Sequence, residues 1–113
     1  MNNKKLGNEW EKELCENLRR KGYWVHFINP DKRGAQPFDI IAVQDGVAVA
    51  IECKTLTPTE KYFRINRIEE NQRLAFEKWL ACGNAMPVIA IKYGDEYKAI
   101  YWDELRDKGK VKL

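Results

Sequence analysis

The stretch FDIIAVQDGVAVAIECK, residues 38–54, reads as a β-hairpin that carries Asp39, Glu52 and Lys54 among otherwise apolar side chains. Asp45-Gly46 is a strong two-residue turn signal, because both central positions of such a turn need φ > 0. With that turn, Gln44 pairs with Val47 and cross-strand partners have numbers summing to 91, so Asp39 faces Glu52. Side chains alternate along a strand. One face therefore carries Asp39, Ile41, Val43, Ala48, Ala50, Glu52 and Lys54; the other carries Phe38, Ile40, Ala42, Val47, Val49, Ile51 and Cys53. Both faces are apolar in the middle, the pattern of a central hairpin covered on both sides.

Like charges directly opposed on a sheet are destabilising, so the acidic pair needs compensation. A hard divalent cation bridging the two carboxylates supplies it, with the Lys54 ammonium nearby. The alternative is a hairpin frayed at residue 39, with Lys54 in an exposed ion pair.

The rest of the chain bounds the reading. At 113 residues, with 44% hydrophobic and 33% charged residues, it predicts one globular domain, residues 1–113, with a core of its own. No apolar run reaches membrane-span length, and the opening MNNKKLGNEWEKEL has no apolar signal region, which predicts a cytoplasmic protein with no membrane partner. Cys15, Cys53 and Cys82 lack C-x-x-C spacing and are expected as core thiols. His26 is the only histidine, so histidine-based metal sites and triads lack their parts. Residues 38–53 hold three acidic groups and no basic one, whereas residues 1–37 hold 8 basic against 5 acidic and residues 54–78 hold 6 against 4. An acidic centre between basic flanks suits a phosphate backbone held over a metal site.

Leu6, Trp10, Leu14 and Leu18 recur at i+4 and predict a helix over residues 4–21, stopped by Gly22. Residues 23–28 are expected as a strand and residues 29–37 as a loop. After a polar excursion over residues 55–65, Asn66 and Glu69 resemble a capping box for a helix running to Cys82. PVIAIKY and YKAIYW predict two further strands, and Asp103 is placed to cap a short last helix. The order α-β-β-β-α-β-β gives an α/β fold, a mixed five-stranded sheet flanked by helices. Glu11 and Glu13 border the first helix's apolar stripe equally well. Gln72 falls inside the second helix's stripe, where a buried amide needs partners, either a structural hydrogen bond or the site itself.

GNEWEKEL, FDIIA, IECK and ENQ, in this order and on these elements, resemble the PD-(D/E)XK nuclease superfamily, and within it the Holliday junction resolvases of archaea, phages and the RecU-type group. The likeness runs over roughly residues 5–102 and implies a restriction-endonuclease-like core. It puts the family's helix-borne glutamate on Glu11, its metal-binding aspartate on Asp39, its E-x-K pair on Glu52 and Lys54, and an auxiliary glutamine on Gln72. The chain departs from the pattern where Phe38 separates Pro37 from the aspartate, and where the loop DKRGAQ lacks a serine found in some archaeal members.

The resemblance implies a Mg²⁺- or Mn²⁺-dependent endonuclease with Asp39, Glu52 and the Cys53 carbonyl as ligands and Glu11 contributing directly or through water. Lys54 would orient the attacking water and stabilise developing charge. It further implies 5′-phosphate and 3′-hydroxyl ends, a four-way DNA junction as substrate and a homodimer. Lys4, Lys5, Lys32, Arg33, Lys61, Arg64 and Arg67 are the expected DNA contacts. KAIYW and Tyr62-Phe63 offer apolar surface for a dimer, or equally for the core. Nucleases of the same fold acting on duplex or flapped DNA, and a non-catalytic DNA-binding module, are the alternatives.

Overall fold

The computed structural model describes residues 3–28 and 36–113, with side chains from Gly7 onward. Lys32 and Arg33 lie outside the described residues, as do the side chains of Lys4 and Lys5. The chain runs α1 (Asn3–Arg20), β1 (Trp24–Phe27), β2 (Ile40–Gln44), β3 (Val47–Leu56), β4 (Tyr62–Arg64), a 3₁₀ turn (Ile65–Arg67), α2 (Glu70–Ala81), β5 (Val88–Tyr93), β6 (Glu96–Tyr101), α3 (Trp102–Lys108) and β7 (Lys110–Lys112). No helix among the described residues is long and apolar enough to cross a membrane.

The hairpin forms in the predicted register. Gln44 pairs with Val47 and Ile40 with Ile51, around a turn in which Asp45 has φ 53° and Gly46 has φ 77°. It sits inside a five-stranded sheet of order β1-β2-β3-β5-β6, where β3 and β5 run parallel and the other pairs antiparallel.

Each sheet face has its own core, as the two apolar faces of the hairpin require. Ile40, Ala42, Ile51 and Cys53 pack with Trp10, Cys15, Leu14 and Leu18 of α1. The Trp10 indole Nε1 also donates to the Ala90 carbonyl at 3.0 Å, fixing the helix across β5. On the other face Ala50, Ile89 and Ile91 pack against Phe76 of α2 and Trp102 and Leu105 of α3.

Several expectations are corrected. Phe38 belongs to this second core, stacked on Phe76 with ring centroids 6.2 Å apart, because the regular ladder ends at Ile40 and strict alternation ends with it. Glu69, not Asn66, is the residue before α2; Asn66 lies in the 3₁₀ turn, and Gln72 Oε1 accepts from Glu69 N at 3.4 Å. Asp103 lies within the first turn of α3, where its carboxylate accepts from Glu104 N, and Tyr101 is the residue before the helix. Cys82 is exposed, while Cys15 and Cys53 are buried. β4, within the polar excursion, and β7, for which the sequence predicts no strand, form a two-stranded antiparallel ribbon. Of the residues weighed for a dimer interface, Phe63, Ile100 and Trp102 are core, while Tyr62, Ala99 and Tyr101 are exposed.

Candidate active site

The sheet places its charges where β2 starts and β3 nears its end. Among the described residues Asp39, Glu52 and Gln72 are the buried polar ones, 4%, 3% and 6% exposed. A frayed hairpin would have left Asp39 in water. Instead its backbone N donates to the Ile51 carbonyl at 3.1 Å and its carbonyl accepts from Ile28 N at 2.7 Å. Its Oδ2 accepts from Cys53 N at 2.8 Å, so the carboxylate takes a backbone donor next to Glu52. Its Oδ1 accepts from Gln36 Nε2 at 3.3 Å.

Glu52 arrives from β3. Its Oε2 accepts from Gln72 Nε2 at 2.8 Å and lies 3.5 Å from Lys54 Nζ. Because Gln72 Oε1 is engaged by Glu69 N, the amide's NH₂ end is the one that faces Glu52. Gln72 thus ties the start of α2 to the acidic pair, filling both roles between which its position in the apolar stripe left it. Glu52 Oε1 is buried without a hydrogen-bond partner among the described residues.

α1 closes the site from the other side. Glu11 is half-buried and feels both Asp39 and Lys54. Glu13 turns away, 3.1 Å from Lys92 Nζ and accepting from the Tyr97 hydroxyl at 2.9 Å, and these partners hold its carboxyl below the usual range. The tie left by helical periodicity is therefore resolved by packing: Glu11 faces the acidic pair and Glu13 does not.

The electrostatics record crowding of negative charge. Burial, then the charge of Asp39, pushes the Glu52 carboxyl up to about 8 against the opposing pull of Lys54 and Gln72. The same two causes raise Glu11 to about 7, with Lys54 pulling it down. Carboxyls shifted in this way favour a proton or a cation over the bare charge.

The residues fit a divalent cation on one specific ground, the buried and unpartnered Glu52 Oε1 beside Asp39. All the donors are hard oxygens, the set that Mg²⁺ and Mn²⁺ take. Among the described residues no group of three or more His, Cys, Asp or Glu side chains is placed to hold a metal ion, so the fit rests on the Asp39–Glu52 pair. A cleft of about 430 Å³, lined by Trp10, Thr55, Leu56, Arg67 and Lys92 among others, opens beside this end of β3.

Gln36 was not legible as a site residue. It lies in the loop three residues before Asp39, and its own carbonyl accepts from Asn71 Nδ2 at 3.5 Å. No pattern in the sequence marks it. His26 is exposed on β1 and stacked on Trp24, with ring centroids 6.1 Å apart.

The family model for the archaeal Holliday junction resolvase, Hjc, matches residues 2–113. The chain belongs to the archaeal Holliday junction resolvase family. It is a nuclease of that family, which acts on branched DNA and as a class uses divalent metal ions. Among solved structures, it resembles Hjc, the Holliday junction resolvase of the archaeal hyperthermophile Archaeoglobus fulgidus, at 18% identity and a TM-score of 0.63, over 84% of this chain and 71% of that one. At that identity the likeness speaks for the shared fold. No curated protein matches the chain.

Proposed function

We propose that the chain, as one nuclease domain in a homodimer, cuts paired strands of a four-way DNA junction by Mg²⁺- or Mn²⁺-dependent hydrolysis, leaving 5′-phosphate and 3′-hydroxyl ends. The observation that carries this reading is Glu52: a buried carboxylate whose Oε1 has no hydrogen-bond partner among the described residues, set beside Asp39 and with Oε2 3.5 Å from Lys54. Asp39 and Glu52 would hold the cation with the Cys53 carbonyl, and Glu11 would contribute directly or through water.

The ion would acidify a water and draw charge from the phosphate. Lys54 is mostly buried on the same strand face as Glu52, so it can offer an ammonium donor to a phosphate oxygen where negative charge develops. Gln72 holds Glu52 in place and supplies no proton of its own. Lys61, Arg64 and Arg67 would contact the DNA backbone; Arg67 Nη2 lies 3.5 Å from the carbonyl of Thr55, the residue after Lys54.

The test is cleavage of labelled four-way junction and linear duplex side by side, with Mg²⁺ and with EDTA, for the wild type and Glu52→Gln. Paired, metal-dependent nicks confined to the junction and abolished in the variant are expected. Equal cutting of both DNAs would keep the nuclease and remove the junction preference. Binding of both without cutting under any metal would overturn the catalytic reading.

A further inference from the structure

The β4–β7 ribbon has a polarity that the fold does not need. Phe63 and Val111 point inward to the core with Leu105, so Tyr62, Arg64, Lys110 and Lys112 all face outward and are exposed. Tyr62 pairs with Lys112 and Arg64 with Lys110. Directly opposed like charges on a sheet are destabilising, yet Arg64 and Lys110 are opposed here, and neither they nor Lys112 take part in any ion pair among the described residues.

The Tyr62 ring lies among them, 4.7 Å from Lys110 Nζ and 5.8 Å from the Arg64 guanidinium carbon. Such contacts hold cations over an aromatic face without neutralising them. The ribbon is also anchored at both ends, by Ile65 N to the Gly109 carbonyl and Leu113 N to the Lys61 carbonyl, each at 2.9 Å. These three cations are thus carried on hydrogen-bonded backbone, where a floppy loop would let them spread apart.

The ribbon is joined to the acidic site by a single 3₁₀ turn. Arg64 ends β4, Ile65–Arg67 follow, and Arg67 reaches the backbone beside Lys54. Three residues of 3₁₀ helix span roughly 6 Å, so Arg64 on the ribbon stands close along the chain to Arg67, whose guanidinium lies at the Thr55 carbonyl.

We propose that the outward face of this ribbon is a second DNA contact, in which Arg64, Lys110 and Lys112 grip backbone phosphates of a duplex arm outside the point of cleavage. It rests on the reading of the chain as a junction nuclease and extends it to residues with no part in the chemistry. The contact is with phosphates, so it positions an arm and does not read its sequence.

The experiment compares Lys110→Gln/Lys112→Gln with Lys21→Gln/Lys78→Gln, which removes the same charge from exposed positions on other elements. Binding to the intact junction and to a linear duplex of one arm is measured over a series of salt concentrations, with single-turnover cleavage at saturating junction. The ribbon variant is expected to bind both DNAs at least about tenfold more weakly at moderate salt and to lower the slope of log K against log[salt] by about 2, near 0.9 per phosphate contact. Its cleavage rate at saturation should match the wild type, and Lys110→Arg/Lys112→Arg should restore affinity.

Equal weakening in both Gln variants would reduce the effect to net charge and overturn the site. So would no weakening in the ribbon variant, or a loss confined to the junction, which would assign the ribbon to the crossover instead of an arm. If arginine fails to restore binding, the lysines act through folding and the proposal falls. A wild type that binds but does not cut would defeat the nuclease reading alone, since the slopes would still decide the ribbon.

Discussion

Glu52 is held in a position that works against folding and in favour of cation binding. A carboxylate 3% exposed, facing Asp39, is costly unless something positive occupies the space beside it. Glu52→Gln keeps the shape and removes the charge. It should abolish cleavage while raising metal-free stability at pH 8 by about 1–3 kcal/mol, read from urea unfolding; a destabilised variant would show that Lys54 already compensates the pair. Gln72 can be dissected in the same way. Gln72→Glu retains an acceptor for Glu69 N but removes the donor to Glu52 and adds a fourth carboxylate to Asp39, Glu52 and Glu11. The expected result is an intact fold, cleavage lowered about 10–100-fold as for other groups that orient a metal ligand, and a pH–rate profile moved to higher pH. Unchanged kinetics would reduce Gln72 to a helix cap. Among single residues the sequence disclosed the acids and the lysine, because a charge inside an apolar strand is conspicuous. It did not disclose Gln36, since a polar residue in a loop has nothing against which to stand out.

At the scale of elements the hairpin was legible because one dipeptide dictates it. Asp45-Gly46 sets the turn, the turn sets the register, and the register brings Asp39 to Glu52. Gly46 has φ 77°, a conformation that costs an L side chain about 1–2 kcal/mol. No atom lies within 4 Å of where its Cβ would be, so Gly46→Ala tests backbone strain alone. It should lower Tm by several degrees with cleavage at 25 °C preserved; loss of cleavage in a folded variant would mean that the register had slipped. What the sequence concealed at this scale lies where short-range rules weaken. Phe38 crosses to the other core because alternation holds only while the ladder continues, and Asp39 departs from it. β4 and β7 are three residues each, too short to show periodicity, and only the distant pairing of Phe63 with Val111 makes them strands. Asn66 followed by Glu69 matched a capping box by type, but the 3₁₀ turn absorbed it and moved the start of α2 onward.

For the whole molecule, the architecture brings α1 and α2 from opposite faces of one sheet to the same charged end, Glu11 from one and Gln72 from the other. No local pattern contains that convergence, which is why Glu11 and Glu13 were indistinguishable along the helix and separate once it is docked. If the convergence holds the proposed cation, stability depends on pH and on metal together. Glu11 and Glu52 have folded-state values of about 7 and about 8, above the 4.5 of an unperturbed glutamate. Between these limits the folded protein holds protons that the unfolded chain has released, so the contribution of these two groups to metal-free stability is full below about pH 4.5 and is lost as pH rises through 7 to 8. A divalent cation takes the place of those protons only when the carboxyls are ionised, and stabilises by about 2.7 kcal/mol when present at a hundred times its Kd. Melting curves at pH 5, 6, 7 and 8 in EDTA should therefore show Tm declining with pH. In Mg²⁺ the decline should shrink, with the largest gain at pH 8 and little at pH 5, and Glu52→Gln should flatten the EDTA series and reduce the Mg²⁺ gain. A metal-free Tm that rises across this range would mean that Lys54 holds both carboxyls ionised and that the acidic end has no need of a cation. A gain from Mg²⁺ that is equal at all four pH values, and unchanged in Glu52→Gln, would place the ion elsewhere on the protein.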